Sequence, residues 1–166
     1  EDLLRALPGV LARKTVELTI AGEFWNDTER ETESLIQTLG IDNAVSIDNH
    51  YIPNEKLADV FRTHDLVVMP YRSATGSAVA NMAIEYERPI IATNVGSLPT
   101  CVEEGINGFL TPANDVEALG GTILKALDHR FDASALRKHR EDREQGWDDL
   151  IDEVEGMLPS EGWRPL

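Results

Sequence analysis

The sequence holds one cysteine, Cys101, among 166 residues. One cysteine excludes an internal disulfide and points to a reducing compartment, so a cytoplasmic location is the expectation. Its setting, "PTCVEEG", offers no base beside it, which favours a buried structural thiol over a nucleophile. The four histidines, His50, His64, His129 and His139, stand at no metal-ligand spacing with Cys, Asp or Glu, so no metal site is assigned. No apolar run approaches the roughly 20 residues that a bilayer-spanning helix needs, and the first residues carry no signal-peptide pattern. Basic charge is also scarce: 15 Lys and Arg against 30 Asp and Glu, a net charge of −15. That balance excludes nucleic acid, and anionic membrane surfaces, as partners of the face as a whole. Only 4 of the basic residues are lysines. A lysine-poor acidic surface suits a high-salt cytoplasm or an ordinary acidic protein.

What is present is enough for one domain with a core: 42% of the residues are apolar. The organising stretch is "HDLVVMPYRSATGSAVANMAIEYERPIIATNVGSLP", residues 64–99. Leu66, Val67, Val68 and Met69 form an apolar run that Pro70 stops. A loop of small and polar residues follows over 71–76. Residues 77–87 carry helical spacing, with Ala78, Val79, Met82, Ala83 and Tyr86 inward, and residues 89–93 read as a second buried strand. Strand, loop, helix and strand make a βαβ unit. Its loop lies at the carboxyl end of a strand, where open α/β sheets bind ligands. The first turn of the following helix presents free N–H groups and the positive end of a dipole, both favourable to phosphate.

The rest of the chain repeats the alternation. Residues 1–7 have helical spacing through Leu3, Leu4 and Leu7, and Pro8-Gly9 ends that helix. Residues 16–20 read as a strand; Gly22 after it serves a tight turn or the close approach of a ligand. Asn26 or Asp27 caps a helix ending at Gly40. Residues 45–47 are a short strand. Pro53 opens a helix with Leu57, Val60 and Phe61 as its stripe. After the central unit, "NVGSLP" is a second small-residue loop. Residues 101–104 read as one helical turn, Asn107-Gly108 as a turn, and Phe109-Leu110 as the last strand. Asp115 caps a helix with Val116, Leu119, Ile123 and Leu127 inward. Asp132 starts another, and residues 147–158 are amphipathic through Trp147, Leu150, Ile151, Val154 and Leu158. Strands alternating with helices imply a doubly wound parallel sheet.

These signals, in this order, resemble a family. The run from "ELTIAGEF" through "IDNHYIPNEKLADVF" and "MPYRSATGSAVANMAIEYERPIIATNVGSLPTCVEEGINGFLTP" is similar to the C-terminal, donor-binding domain of retaining glycosyltransferases of family 4, which have the two-domain GT-B architecture. The resemblance covers roughly residues 17–127, and "WDDLIDEVEGML" looks like that family's terminal helix. It implies an α/β, Rossmann-like doubly wound parallel sheet in a single domain, residues 1–166, forming the C-terminal half of a GT-B enzyme. It implies a nucleotide-sugar donor, UDP- or GDP-linked, as substrate, no cofactor and no protein-bound metal. The acceptor, a glycan, lipid or small molecule, belongs to an N-terminal domain absent from this sequence, and peripheral membrane association of the full-length enzyme is left open.

The resemblance assigns the nucleobase to the loop at Tyr51 and Ile52. It assigns the diphosphate and sugar to Arg72, Ser73, Thr75, Gly76, Ser77, Ala78 and Val79. Arg72 has two readings, a phosphate contact or a solvated arginine, and Thr75-Gly76-Ser77 is either a ligand contact or a helix cap. No catalytic residue is assigned. Two departures stand out. The family's two glutamates across this loop and helix fall on Ala74 and Met82, neither of which accepts a hydrogen bond through its side chain; Glu85 is not promoted in their place. The family's diphosphate-binding arginine and lysine precede the helix that opens this sequence, and the strand carrying that arginine is central in the sheet. Its absence predicts a gap between residues 16–20 and 66–69, or closure of that gap by another chain or by rearrangement. The expected function is therefore the donor-binding half of a retaining hexosyltransferase, inactive alone; the alternative is a non-catalytic binding or assembly module derived from one.

Overall fold

The computed structural model describes residues 1–24 and 28–157. Its first helix, α1 (Asp2–Leu11), sets the packing of half the molecule by burying Leu4, Ala6, Leu7 and Val10. It continues through Pro8, correcting the expectation that it ends at Leu7. Proline lacks the N–H that would bond the Leu4 carbonyl, which weakens one turn. Leu4, Leu7 and Val10 nevertheless share one buried face across that turn, and burial of this kind contributes about 1.5–3 kcal/mol per large side chain. The helix closes at Ala12, whose N–H donates to the Pro8 carbonyl at 3.1 Å.

The remaining elements are β1 (Leu18–Ala21), α2 (Thr28–Leu39), β2 (Val45–Asp48), α3 (Asn54–Arg62), β3 (Val67–Met69), α4 (Ala78–Glu85), β4 (Ile90–Thr93), β5 (Gly108–Thr111), α5 (Val116–Asp128) and α6 (Ala133–Met157). Every strand pair is parallel. β4 is the central strand of its sheet, and all four of its residues are buried. Its side chains alternate: Ile91 joins a core with α1, α2 and α5, while Ile90 and Ala92 join a second core with Phe61 of α3 and Ala80, Ala83 and Ile84 of α4. A sheet covered by helices on both faces is the Rossmann-like, doubly wound α/β arrangement expected.

The expected single sheet, however, is two sheets. β1 pairs with β2, and β3–β4–β5 form the other. The pairing stops between β1 and β3, the place where the sequence predicts an interruption. Leu18, Ile20, Leu66 and Val68 still pack on one common core, and one side-chain bridge spans the break. His64 Nδ1 donates to the Val60 carbonyl at 2.7 Å, so its Nε2 accepts from the Thr19 hydroxyl at 2.9 Å.

Other boundaries differ from expectation, and Gly108, expected in a turn, opens β5. The turn expected over 101–104 is a 3₁₀ turn at Leu98–Cys101, because Pro99 fixes the φ of its opening residues and Val102 is already extended. The two helical segments expected after Asp132 are one helix, α6. Asp132 Oδ1 accepts from the Ser134 amide and hydroxyl at 2.8 Å each, capping its start. Arg140 of α6 ties it to α4, 3.6 Å from Glu87 and 3.9 Å from Glu85, which also shows Glu85 turned toward α6. Beyond, Trp147, Leu150, Ile151 and Val154 are exposed. The expected cap at Asn26 or Asp27, and Leu158, lie outside the described residues.

Candidate functional site

The loop between β3 and α4, residues 70–77, is held from below by the neighbouring strand. The Thr93 hydroxyl, at the carboxyl end of β4, donates to the Tyr71 carbonyl at 2.5 Å. A threonine is buried there because the loop's carbonyl turns inward and requires a donor. From the side, the next loop presses on it: a Cβ on Gly96 would lie 1.6 Å from the Ala74 carbonyl oxygen. Only a glycine allows that approach. The loop therefore has fixed supports at Tyr71 and Ala74, and the residues between and beyond them face water.

Ser77 ends the loop and begins α4. Its Oγ accepts from the Ala80 amide at 3.1 Å, so the cap reading of Ser77 is realised. This cap satisfies one of the amides at the helix start. Among the described residues, the amides of Gly76, Ser77, Ala78 and Val79 have no protein acceptor. Arg72, Ser73, Thr75, Gly76 and Ala78 are exposed, and Ser77 and Val79 are half-buried. The arrangement is a short run of unpaired amides at a helix N-terminus, electrically suited to an anion.

Arg72 is neither free nor merely solvated. Its Nη2 donates to Asp2 Oδ1, in the first turn of α1, at 3.1 Å. The hydrogen bond and charge of Asp2 hold the guanidinium proton more tightly than usual. This pair brings the start of α1 to the loop before α4. Met82 is half-buried against the second core.

Tyr51 and Ile52 lie past the end of β2, on the other sheet. Tyr51 is 67% exposed, and Ile52 is half-buried. The adjoining loops are tied together there, since the Phe24 amide donates to Asn49 Oδ1 at 2.9 Å. Residues 72–79 are thus one constellation, and Tyr51 and Ile52 stand apart from it on the same, carboxyl-terminal side of the strands. A surface depression of about 610 Å³ lies elsewhere, lined by Glu1, Arg30, Glu31, Ser34, Leu35 and Thr38. Among the described residues no group of three His, Cys, Asp or Glu side chains is placed to hold a metal. No helix among them is long and apolar enough to cross a membrane. Cys101 is a buried free thiol.

Three positions matter here that sequence reading did not single out. Thr93 and Gly96 lie at strand-end positions whose small size was visible, but their contacts were not. Asp2 gave no signal, because 70 residues separate it from Arg72.

Comparison with known proteins fits this geometry. Residues 1–129 match the family described as "Glycosyl transferases group 1". The chain is 31% identical over 148 residues to D-inositol 3-phosphate glycosyltransferase 1 of Catenulispora acidiphila, covering 87% of this chain and 35% of that protein. It is 32% identical over 160 residues to D-inositol 3-phosphate glycosyltransferase of Mycolicibacterium smegmatis, covering 90% of this chain and 34% of that protein. The chain thus spans about a third of the length of these relatives. The crystal structure of Anabaena HepE in complex with UDP superposes with a TM-score of 0.74 at 21% identity, over 95% of this chain and 44% of that one, a likeness of fold. By the match over most of its length, the chain belongs to the group 1 glycosyl transferases.

Proposed function

We propose that this chain is the donor-binding half of a retaining glycosyltransferase of the GT-B kind. The whole enzyme moves a hexose from a UDP- or GDP-linked donor to an acceptor hydroxyl carried by another domain, in the cytoplasm. The observation that carries this reading is the set of unpartnered amides of residues 76–79, past the carboxyl end of β3, in a chain of this family. In the proposal the diphosphate lies on these amides, with Ser73, Thr75 and Ser77 offering hydroxyls to the sugar. The base lies by Tyr51 and Ile52. Ordered amides aimed at a leaving diphosphate stabilise its developing charge without reorganising. Fixing the sugar against the acceptor supplies the rest through orientation. That a relative of the same fold is crystallised with UDP supports a nucleotide donor.

The second reading, a binding module without catalysis, is favoured by one observation. Met82 is committed to the apolar core and Ala74 is a support under Gly96, so neither position offers a carboxylate to a sugar or ribose. Isothermal titration with UDP-glucose, GDP-mannose, UDP and GDP tests the first reading. Binding of one nucleotide series supports it, and no heat from any of them at millimolar concentration overturns it. Sugar transfer by the longer enzyme, lost when Gly76 or Ser77 is replaced by a bulky acid, separates enzyme from module.

A further inference from the structure

We propose that Asp2 is an affinity-determining residue of this site: it competes with an anionic ligand for Arg72 and so sets how tightly the loop takes a nucleoside diphosphate. The inference rests on the donor-site reading above. Its basis is an asymmetry within one ion pair. Asp2 is fixed in the first turn of α1, and its side chain is 16% exposed; Arg72 is on the loop, and its side chain is 65% exposed. The carboxylate therefore has one position, whereas the guanidinium sits on a flexible stem mostly in water. Nη2 of Arg72 donates to Asp2 Oδ1 at 3.1 Å.

A carboxylate meets a guanidinium fork with the same oxygen geometry that a phosphate presents. Asp2 thus already occupies the cation nearest in sequence to the free amides of residues 76–79. A diphosphate settling on those amides meets Arg72 neutralised by Asp2, and the charge of Asp2 opposes it as well. Glu1, also exposed, adds a second negative group beside it. Binding then requires Arg72 to leave Asp2 for the phosphate, and Asp2 to remain behind as a bare carboxylate. It remains behind at the amino end of α1, where the helix dipole partly compensates its charge. The exchange is therefore feasible but opposed. The opposition falls on charged ligands alone, so Asp2 discriminates between a diphosphate and an uncharged nucleoside at the same loop.

The test uses the chain with D2N, R72Q and the double variant. UDP, GDP, uridine and guanosine are titrated by calorimetry at about 50 mM and about 300 mM salt, on either side of effective screening. The D2N variant is expected to bind the diphosphate roughly three- to tenfold more tightly at the lower salt, the range of an exposed charge pair plus the removed repulsion. Nucleoside affinity is unchanged, the gain shrinks at the higher salt, and with R72Q in the background only the smaller part due to removed repulsion remains. A D2S variant, which removes the same charge with a different side chain, reproduces the gain. Unchanged or weaker diphosphate binding by both D2N and D2S overturns the inference while leaving the donor-site reading intact. No binding of any nucleotide by the parent chain or the variants overturns both.

Discussion

Gly96 and Ala74 meet backbone against backbone, close enough that a Cβ on the glycine would stand 1.6 Å from the alanine's carbonyl oxygen. Gly96 also has a φ of +52°, a conformation that a side chain resists. Through this contact the loop after β4 holds the loop after β3 in place, and the amides of residues 76–79 inherit their position from it.

Replacing Gly96 with alanine therefore acts twice. The left-handed backbone costs about 1–2 kcal/mol for a residue with a Cβ, and the Cβ drives Ala74 outward. The expected loss is about 2 kcal/mol or more, measured by urea unfolding with circular dichroism. Nucleotide affinity falls as well, because the amides move. An unchanged unfolding midpoint in G96A would mean that the two loops are not in contact.

Ser77 carries the cap of α4 and lies at the proposed phosphate position, and two substitutions separate the roles. S77A removes the acceptor of the Ala80 amide and costs about 1 kcal/mol of stability. S77D keeps a capping oxygen and the favourable charge at the helix start, so stability is retained. The same carboxylate repels a diphosphate, so S77D abolishes nucleotide binding. Equal nucleotide binding by S77D and the parent chain would remove Ser77 from the site.

Asn107 is a buried junction, 2% exposed. Its Oδ1 accepts from the Glu103 amide at 2.7 Å, and its Nδ2 donates to the Cys101 carbonyl at 2.9 Å and to His139 Nε2 at 3.0 Å. With Nε2 accepting, His139 carries its proton on Nδ1, toward Glu103 at 3.2 Å. Leucine fills a similar volume and strands all three partners. N107L is expected to cost about 2–4 kcal/mol, several unmet hydrogen bonds at once. The check is equilibrium unfolding, together with amide exchange at Glu103. A loss below about 1 kcal/mol would show that water replaces the side chain without strain.

The cap at the start of α6 is lost in acid. Hydrogen bonds from the Ser134 hydroxyl and amide hold the Asp132 carboxyl below the usual carboxylate range. A depressed carboxylate gives its support fully above the unfolded-state value and loses it as pH falls through the folded one. Fraying of the first turn of α6 is thus expected in acid, below the ordinary aspartate range, and not at neutral or alkaline pH. Carboxyl chemical shifts and exchange of the Ser134 amide across that range measure it. Protection at Ser134 that is independent of pH would refute the capping role.

The sequence carried much of the fold because periodicity is a local signal. β4 reads as a buried strand from Ile90, Ile91 and Ala92 alone, and its boundaries hold to one residue. Asp115 caps its helix where it was expected to, and Ser77 takes the cap, one of its two readings. Pro8 misled because a local rule, that proline ends a helix, yields to burial on both sides of it, of Leu4 and Leu7 before and Val10 after. Residues 98–101 misled because Pro99 placed its turn earlier than the apolar pattern suggested.

Residue order by itself determined the α/β class, the alternation of strands with helices, the loop of small residues before α4, and membership of a glycosyltransferase family. These rest on side-chain size and on neighbours three or four places apart, which any reader of the chain has in hand. Tertiary structure alone decided that Arg72 is held by Asp2, that Gly96 bears on Ala74, and that the break foreseen between β1 and β3 stays open while both pack on one core. Each is a contact between segments far apart in the chain, and its partner is chosen by the packing of whole helices on the sheets.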